Sequence, residues 1–125
     1  MRSVVLLCVL ALVACASVSA AEVSGEGWKA RLEWSPAPPR ALRTATLRLR
    51  IADDSGRPLG IPKLRAVASM PEMAHGPEEI LFREVAPGRY EAQHAFSMDG
   101  RWEVRVTGEG AGVRVVATFN LSVGP

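Results

Sequence analysis

The chain has 125 residues, 48% of them hydrophobic, and sets 15 lysines and arginines against 13 aspartates and glutamates, for a formal net charge of +2. That length supports one domain with one core and is too short for two. The near balance of charge gives no sign of the concentrated basic face that nucleic-acid binding requires.

The first residues form a targeting segment. Arg2 precedes an unbroken apolar run from Val4 to Val13, and small residues follow through Val18-Ser19-Ala20-Ala21, the plan of a secretory signal peptide. The run is too short to span a bilayer. Leu12-Val13-Ala14-Cys15 is similar to a bacterial lipobox, in which cleavage before the cysteine leaves an acylated N-terminus. The alternative is ordinary cleavage after Ala20, giving a soluble periplasmic protein. Residues 1–21 therefore read as signal peptide and leader, with the lipobox ending at Cys15, and residues 22–125 as the folded domain. The expected location is the periplasm, lipid-anchored to the membrane through Cys15. Cys8 and Cys15 both fall in the leader, so the domain has neither thiol nor disulfide and must rely on its core.

Along the domain the apolar pattern has period two almost throughout, with no amphipathic helix. Trp28, Ala30, Leu32 and Trp34 define a first strand, and Leu47, Leu49 and Ile51 a second. A third starts at Leu64, Ala66 and Ala68 and ends at Met70. Ile80 to Glu84 forms a short fourth after the Gly76-Pro77 break. Tyr90, Ala92 and Phe96 mark the fifth, Trp102, Val104 and Val106 the sixth, and Val113, Val115, Ala117, Phe119 and Leu121 the seventh. Seven short strands with such turns predict a seven-stranded immunoglobulin-like antiparallel β-sandwich, all-β in class. The segments Ser35 to Arg40 and Asp53 to Pro62, rich in Pro, Gly and Asp, are the loops expected to vary or move.

Met70-Pro71-Glu72-Met73-Ala74-His75 places two thioethers and an imidazole in one short turn, and Ser97-Met98-Asp99-Gly100 adds another methionine before a hairpin signal. Strands that alternate in direction bring the turns after the third and fifth to one end, so Met70, Met73, His75 and Met98 share it. By the same count the first strand begins at the opposite end, and a lipid-anchored N-terminus would turn the Met/His end away from the membrane. Thioether and imidazole suit soft Cu(I). In an oxidising compartment they also avoid the disulfides that exposed thiols form. Only His75 would make binding pH-dependent, near its ordinary pKa of about 6.5. The competing reading is structural: Met70 shares the parity of Leu64 and Ala66, and methionine fills irregular core gaps.

Met70-Pro71-Glu72-Met73-Ala74-His75-Gly76, then Gly88-Arg89-Tyr90, then Phe96-Ser97-Met98-Asp99-Gly100-Arg101-Trp102 resemble the YtkA-like or FixH-like domain of bacterial envelope proteins, over roughly Leu47 to Val106. The resemblance implies an immunoglobulin-like fold and a role in handling copper, linked in some members to respiratory oxidase assembly. It implies Met70, Met73, His75 and Met98 as the metal positions and copper, as Cu(I), as the ligand. It further implies an envelope cuproprotein or an oxidase assembly factor as partner. FixH-type members keep a transmembrane helix, whereas this chain carries only a leader.

Other residues have plainer readings. His94 lies four strand residues from Met98, about 13 Å at the usual rise, and reads as a structural histidine or one that supports a ligand from behind. Trp102 has core parity, with a ring able to stack on bound Cu(I). Glu72, Glu78 and Glu79 read as a solvated acidic loop. Without a nucleophile and base arrangement, an enzyme is not expected. The rival to a Cu(I) carrier or scavenger is a metal-free, lipid-anchored interaction module docking on an envelope complex.

Overall fold

The computed structural model describes residues 17–125 except His75, so Cys15 and His75 lie outside the described residues. Nine strands follow in chain order: β1 (Ser19–Gly25), β2 (Trp28–Ser35), β3 (Thr44–Ala52), β4 (Arg65–Ser69), β5 (Glu78–Ile80), β6 (Arg83–Ala86), β7 (Arg89–Ala95), β8 (Gly100–Gly110) and β9 (Val113–Val123). They form two antiparallel sheets, ordered β1-β2-β3-β7-β6 and β5-β4-β8-β9. Among the described residues no helix is long and apolar enough to cross a membrane.

The period-two residues form the core. Leu32, Leu47, Leu49, Ile51 and Phe96 from the five-stranded side meet Trp102, Val104, Val106, Val115 and Phe119 from the other, all almost fully buried. This alternation decides which face of each strand turns inward, because side chains on a strand point to opposite faces in turn.

The all-β sandwich is as expected, but among the described residues it has nine strands and not seven. One extra strand is β1, which pairs with β2 from Ser19↔Trp34 to Gly25↔Trp28. Its inward residues are Ser19, Ala21 and Val23, only half-buried, too small and polar to give an apolar signal. The other arises because the stretch Ile80 to Glu84 is one pass of chain divided between two sheets. β5 pairs with β4, the chain crosses at Leu81-Phe82, and β6 pairs with β7.

The loops expected to move are instead tied down. Asp53 Oδ1 accepts from Ser55 N at 2.9 Å, Ser55 Oγ at 2.6 Å and Arg57 N at 2.9 Å, so its carboxyl is held below its ordinary pKa, chiefly by the Ser55 hydroxyl. Leu59 and Ile61 enter the core, and the Ile61 amide donates to the Tyr90 hydroxyl at 2.6 Å. On the other segment Gly124 N donates to Pro39 O at 2.8 Å and Ala37 N to Ser17 O at 3.0 Å. Turn composition marked these segments correctly as irregular; their buried apolar residues and backbone bonds anchor them.

On the outer face of the five-stranded sheet Arg50 stands directly opposite Arg31 on one side and Arg89 on the other. The neighbouring row alternates Glu33, Arg48 and Glu91. Like charges in register are unfavourable, whereas each opposite pair contributes about 0.2–1 kcal/mol. Arg50→Glu should therefore stabilise the domain by about 0.5–1 kcal/mol, raising Tm by about 2–6 °C in a thermal melt. Arg48→Glu should lower it.

β4 and β7 run the same way, as expected, and deliver Met70 and Met98 to one end. The direction of the N-terminus is corrected. With β1 added before β2, the chain enters the sandwich beside Trp34, at the end where β2, β4 and β7 finish and β8 begins. The N-terminus and the methionine loops thus share one end, called the thioether end below.

Candidate metal centre

Met70 follows β4 directly and is only 6% exposed. Its thioether methyl lies against Gly100, where a Cβ would come within 2.7 Å of Met70 Cε; Gly100 has φ 129° and leaves the sulfur side chain room over the start of β8. Met98, two residues earlier, is half-buried against the same core. Met73 is 51% exposed, and its amide donates to Met70 O at 3.3 Å, closing the turn that presents it. Met70, Met73 and Met98 therefore come to one end, with the Met70 methyl against Gly100. His75, the fourth expected ligand, is outside the described residues.

The two loops are joined by further contacts. Trp102 Nε1 donates to Met98 O at 3.0 Å, and its ring packs on Phe96 at 5.3 Å between centroids, so Trp102 fixes the backbone that carries Met98. Arg101 and Glu72 form an ion pair at 3.4 Å across the loops, about three-quarters exposed; such a pair adds little stability.

Glu78 is the residue that the sequence reading misplaced. It is half-buried and not a solvated loop carboxylate. Its oxygens accept from Ser97 N at 3.1 Å and Ser97 Oγ at 3.2 Å, clamping the segment before Met98 to β5. The available signal was parity: Glu78 shares the inward register of Ile80, where a charge requires a partner.

His94 lies deeper, as its strand position implied. Its side chain is 13% exposed, with Nε2 3.6 Å from Glu78 Oε1, and that buried nitrogen has no hydrogen-bond partner among the described residues. The ring stands edge-on to Phe96 at 4.8 Å. Burial holds the imidazole below its ordinary pKa, with the Glu78 carboxylate opposing the shift. The unfolded chain therefore takes up this proton first as pH falls below about 6.5, and stability drops with it. The contribution is fully present above that pH. A urea midpoint that falls between neutral and mildly acidic pH, and a flatter profile in His94→Gln, would bear this out.

The donor set decides what could bind. Among the described residues no group of three or more His, Cys, Asp or Glu side chains is placed to hold a metal ion, so a hard-cation cage is not on offer there. Three thioethers at one end of the sandwich are a soft set, suited to Cu(I) with its low and variable coordination number.

A family model described as YtkA-like matches residues 20–107. The chain belongs to the YtkA-like family. The match includes β1 from its second residue and reaches into β8, so the family region contains both methionine loops. No curated protein matches this YtkA-like chain. Among solved structures it is similar to the crystal structure of the Lin-41 filamin domain, with TM-score 0.53 and 14% identity over 87% of this chain and 94% of that one. That likeness concerns fold alone and agrees with an immunoglobulin-like sandwich.

Proposed function

We propose that this YtkA-like domain is an envelope Cu(I) carrier or scavenger and not an enzyme, with Met70, Met73, His75 and Met98 as the copper ligands. The observation that carries the reading is that three methionines come to one end of the sandwich, Met70 packing its methyl on a glycine that leaves space for it. Trp102 and Glu78 hold the Met98 segment from behind, and such supporting contacts orient ligands. The exposed, proton-free thioether of Met73 favours exchangeable binding, which suits transfer of copper to or from an envelope cuproprotein or an oxidase assembly factor.

Periplasmic location with a lipid anchor at Cys15 is part of the same proposal. Cleavage before Cys15 keeps every contact of the first strand. Cleavage after Ala20 removes the Ser17 bonds to Ala37 and the Ser19↔Trp34 and Ala20↔Glu33 pairs, which favours the lipobox site.

Anaerobic titration of the purified protein against a competing Cu(I) chelator tests the carrier reading. About one Cu(I) per chain should bind. Met73→Leu with His75→Ala should weaken binding beyond the roughly 10- to 100-fold that follows loss of a supporting contact, with the fold retained. Equal, poor competition by both proteins favours the metal-free docking module instead. One observation speaks for that module: Met70 is nearly fully buried and serves the core whether or not copper binds.

A further inference from the structure

The thioether end also carries much of the large apolar surface left in water. Val18 is 57% exposed, Leu42 78% and Met73 51%. Val18 immediately precedes β1, Leu42 lies between β2 and β3, and Met73 lies between β4 and β5, all at this one end. Leu42 holds φ 63°, the left-handed region that a leucine seldom enters. Its amide donates to Phe96 O at 2.7 Å, so bonded backbone fixes the side chain outward. Exposed Arg40 and Arg43 flank it, and neither forms an ion pair among the described residues. Of the nearby carboxylates, Glu72 is engaged by Arg101 and Glu78 by Ser97, while Asp99 is exposed on the β7–β8 side.

We propose that this end is a bilayer-contacting surface, with Val18 and Leu42 entering the interface of an anionic phospholipid membrane and Arg40 and Arg43 reaching its headgroups. An apolar tip bracketed by long cationic side chains matches that boundary, where the aliphatic part is buried and the guanidinium stays with phosphate. Chain length selects the same occupant. Ser17 is already fastened to Ala37 through its carbonyl oxygen at 3.0 Å and its hydroxyl at 2.9 Å. Only Ala16 lies between it and Cys15, two steps of chain with a reach of about 7 Å. An acylated Cys15 thus leaves the domain no slack to turn this end away from the membrane. The methionine rim then opens at the membrane surface, where copper would pass to or from a partner at the bilayer. This inference rests on the membrane attachment proposed above and not on copper binding.

The test uses full-length protein extracted from membranes and returned to phosphatidylcholine vesicles with or without phosphatidylglycerol. Leu42→Cys, or Ser55→Cys at the far end as control, carries an environment-sensitive fluorophore, and the lipids carry a spin-label quencher. The label at position 42 should be blue-shifted and quenched several-fold more than the one at position 55. Phosphatidylglycerol should strengthen the quenching, and Arg40→Glu with Arg43→Glu should weaken it. A membrane-bound chain with position 42 in water overturns the inference alone, as does shielding of that label in native membranes but not in lipid vesicles, which indicates a protein partner. Recovery of the wild-type chain in the soluble fraction overturns both the attachment and the inference, while the copper titration, done without lipid, stands apart.

Discussion

Trp102→Ala should be the most damaging substitution at the candidate site, costing about 3–5 kcal/mol of the roughly 5–15 kcal/mol that holds a small domain folded. Trp102 is 1% exposed, so its removal opens a cavity under the ring of Phe96 and at the floor of the methionine rim. It also removes the donor to the Met98 carbonyl. Trp102→Phe separates the two effects. It keeps most of the ring volume and the aromatic contact, and loses the Nε1–H bond, at about 1–3 kcal/mol for a carbonyl left unpaired. Urea denaturation should rank wild type above Trp102→Phe above Trp102→Ala. Cu(I) affinity in the folded Phe variant should fall, because Met98 is no longer held in place. An unchanged urea midpoint for Trp102→Ala would show that the ring is not part of the core.

The second large effect lies at the opposite end, far from any proposed ligand. Gly88 turns the chain between β6 and β7 with φ 70°. A Cβ there would sit 2.6 Å from Ile51 O, 2.8 Å from Pro58 Cβ and 2.9 Å from Leu59 N. Two of those three neighbours are backbone, and Ile51 O already accepts from Leu59 N at 2.9 Å while Ile51 N donates to Gly88 O. Gly88→Ala therefore combines a disfavoured backbone conformation with a clash that no rotamer relieves, and should cost about 3 kcal/mol or more. Thermal melts should show the loss, and any Gly88→Ala protein that remains folded should bind Cu(I) as wild type does. Gly112→Ala is the control: it too has positive φ, at 77°, but nothing lies within 4 Å of the added carbon, so only the conformational cost remains.

The core was legible in the sequence because a sandwich repeats one rule: every second residue of each strand faces inward. Trp28, Leu32, Leu49, Val104 and Phe119 were placed correctly by alternation alone. β1 escaped because its alternation is carried by Ser19, Ala21 and Val23, and because it overlaps residues assigned to the leader. The two sheet assignments of β5 and β6 escaped because crossing between sheets leaves no mark in a period-two pattern; only the exposed Leu81 beside the half-buried Phe82 records the crossing. Strand direction correctly brought Met98 to the end of the sandwich that carries Met70 and Met73, since that argument needs only the parity of intervening passes. The same parity argument failed for the N-terminus, where one unseen strand reverses the answer. Glu78 was missed because a partner for an inward carboxylate lies far along the chain, at Ser97 and His94, and pairings of that range are set by the packed sheets.

The arrangement of the chain ends bears on how this protein can be handled. Val123 pairs with Gly100 and Gly124 N is bonded to Pro39 O, so a fusion appended after Pro125 emerges beside the methionine loops. An affinity tag of histidines placed there would bring foreign imidazoles to the rim and compete for the same soft ion, imitating or masking its affinity. The turn at Asp53–Gly56 lies at the other end of the sandwich, and a reporter or surface attachment inserted there would leave the rim clear.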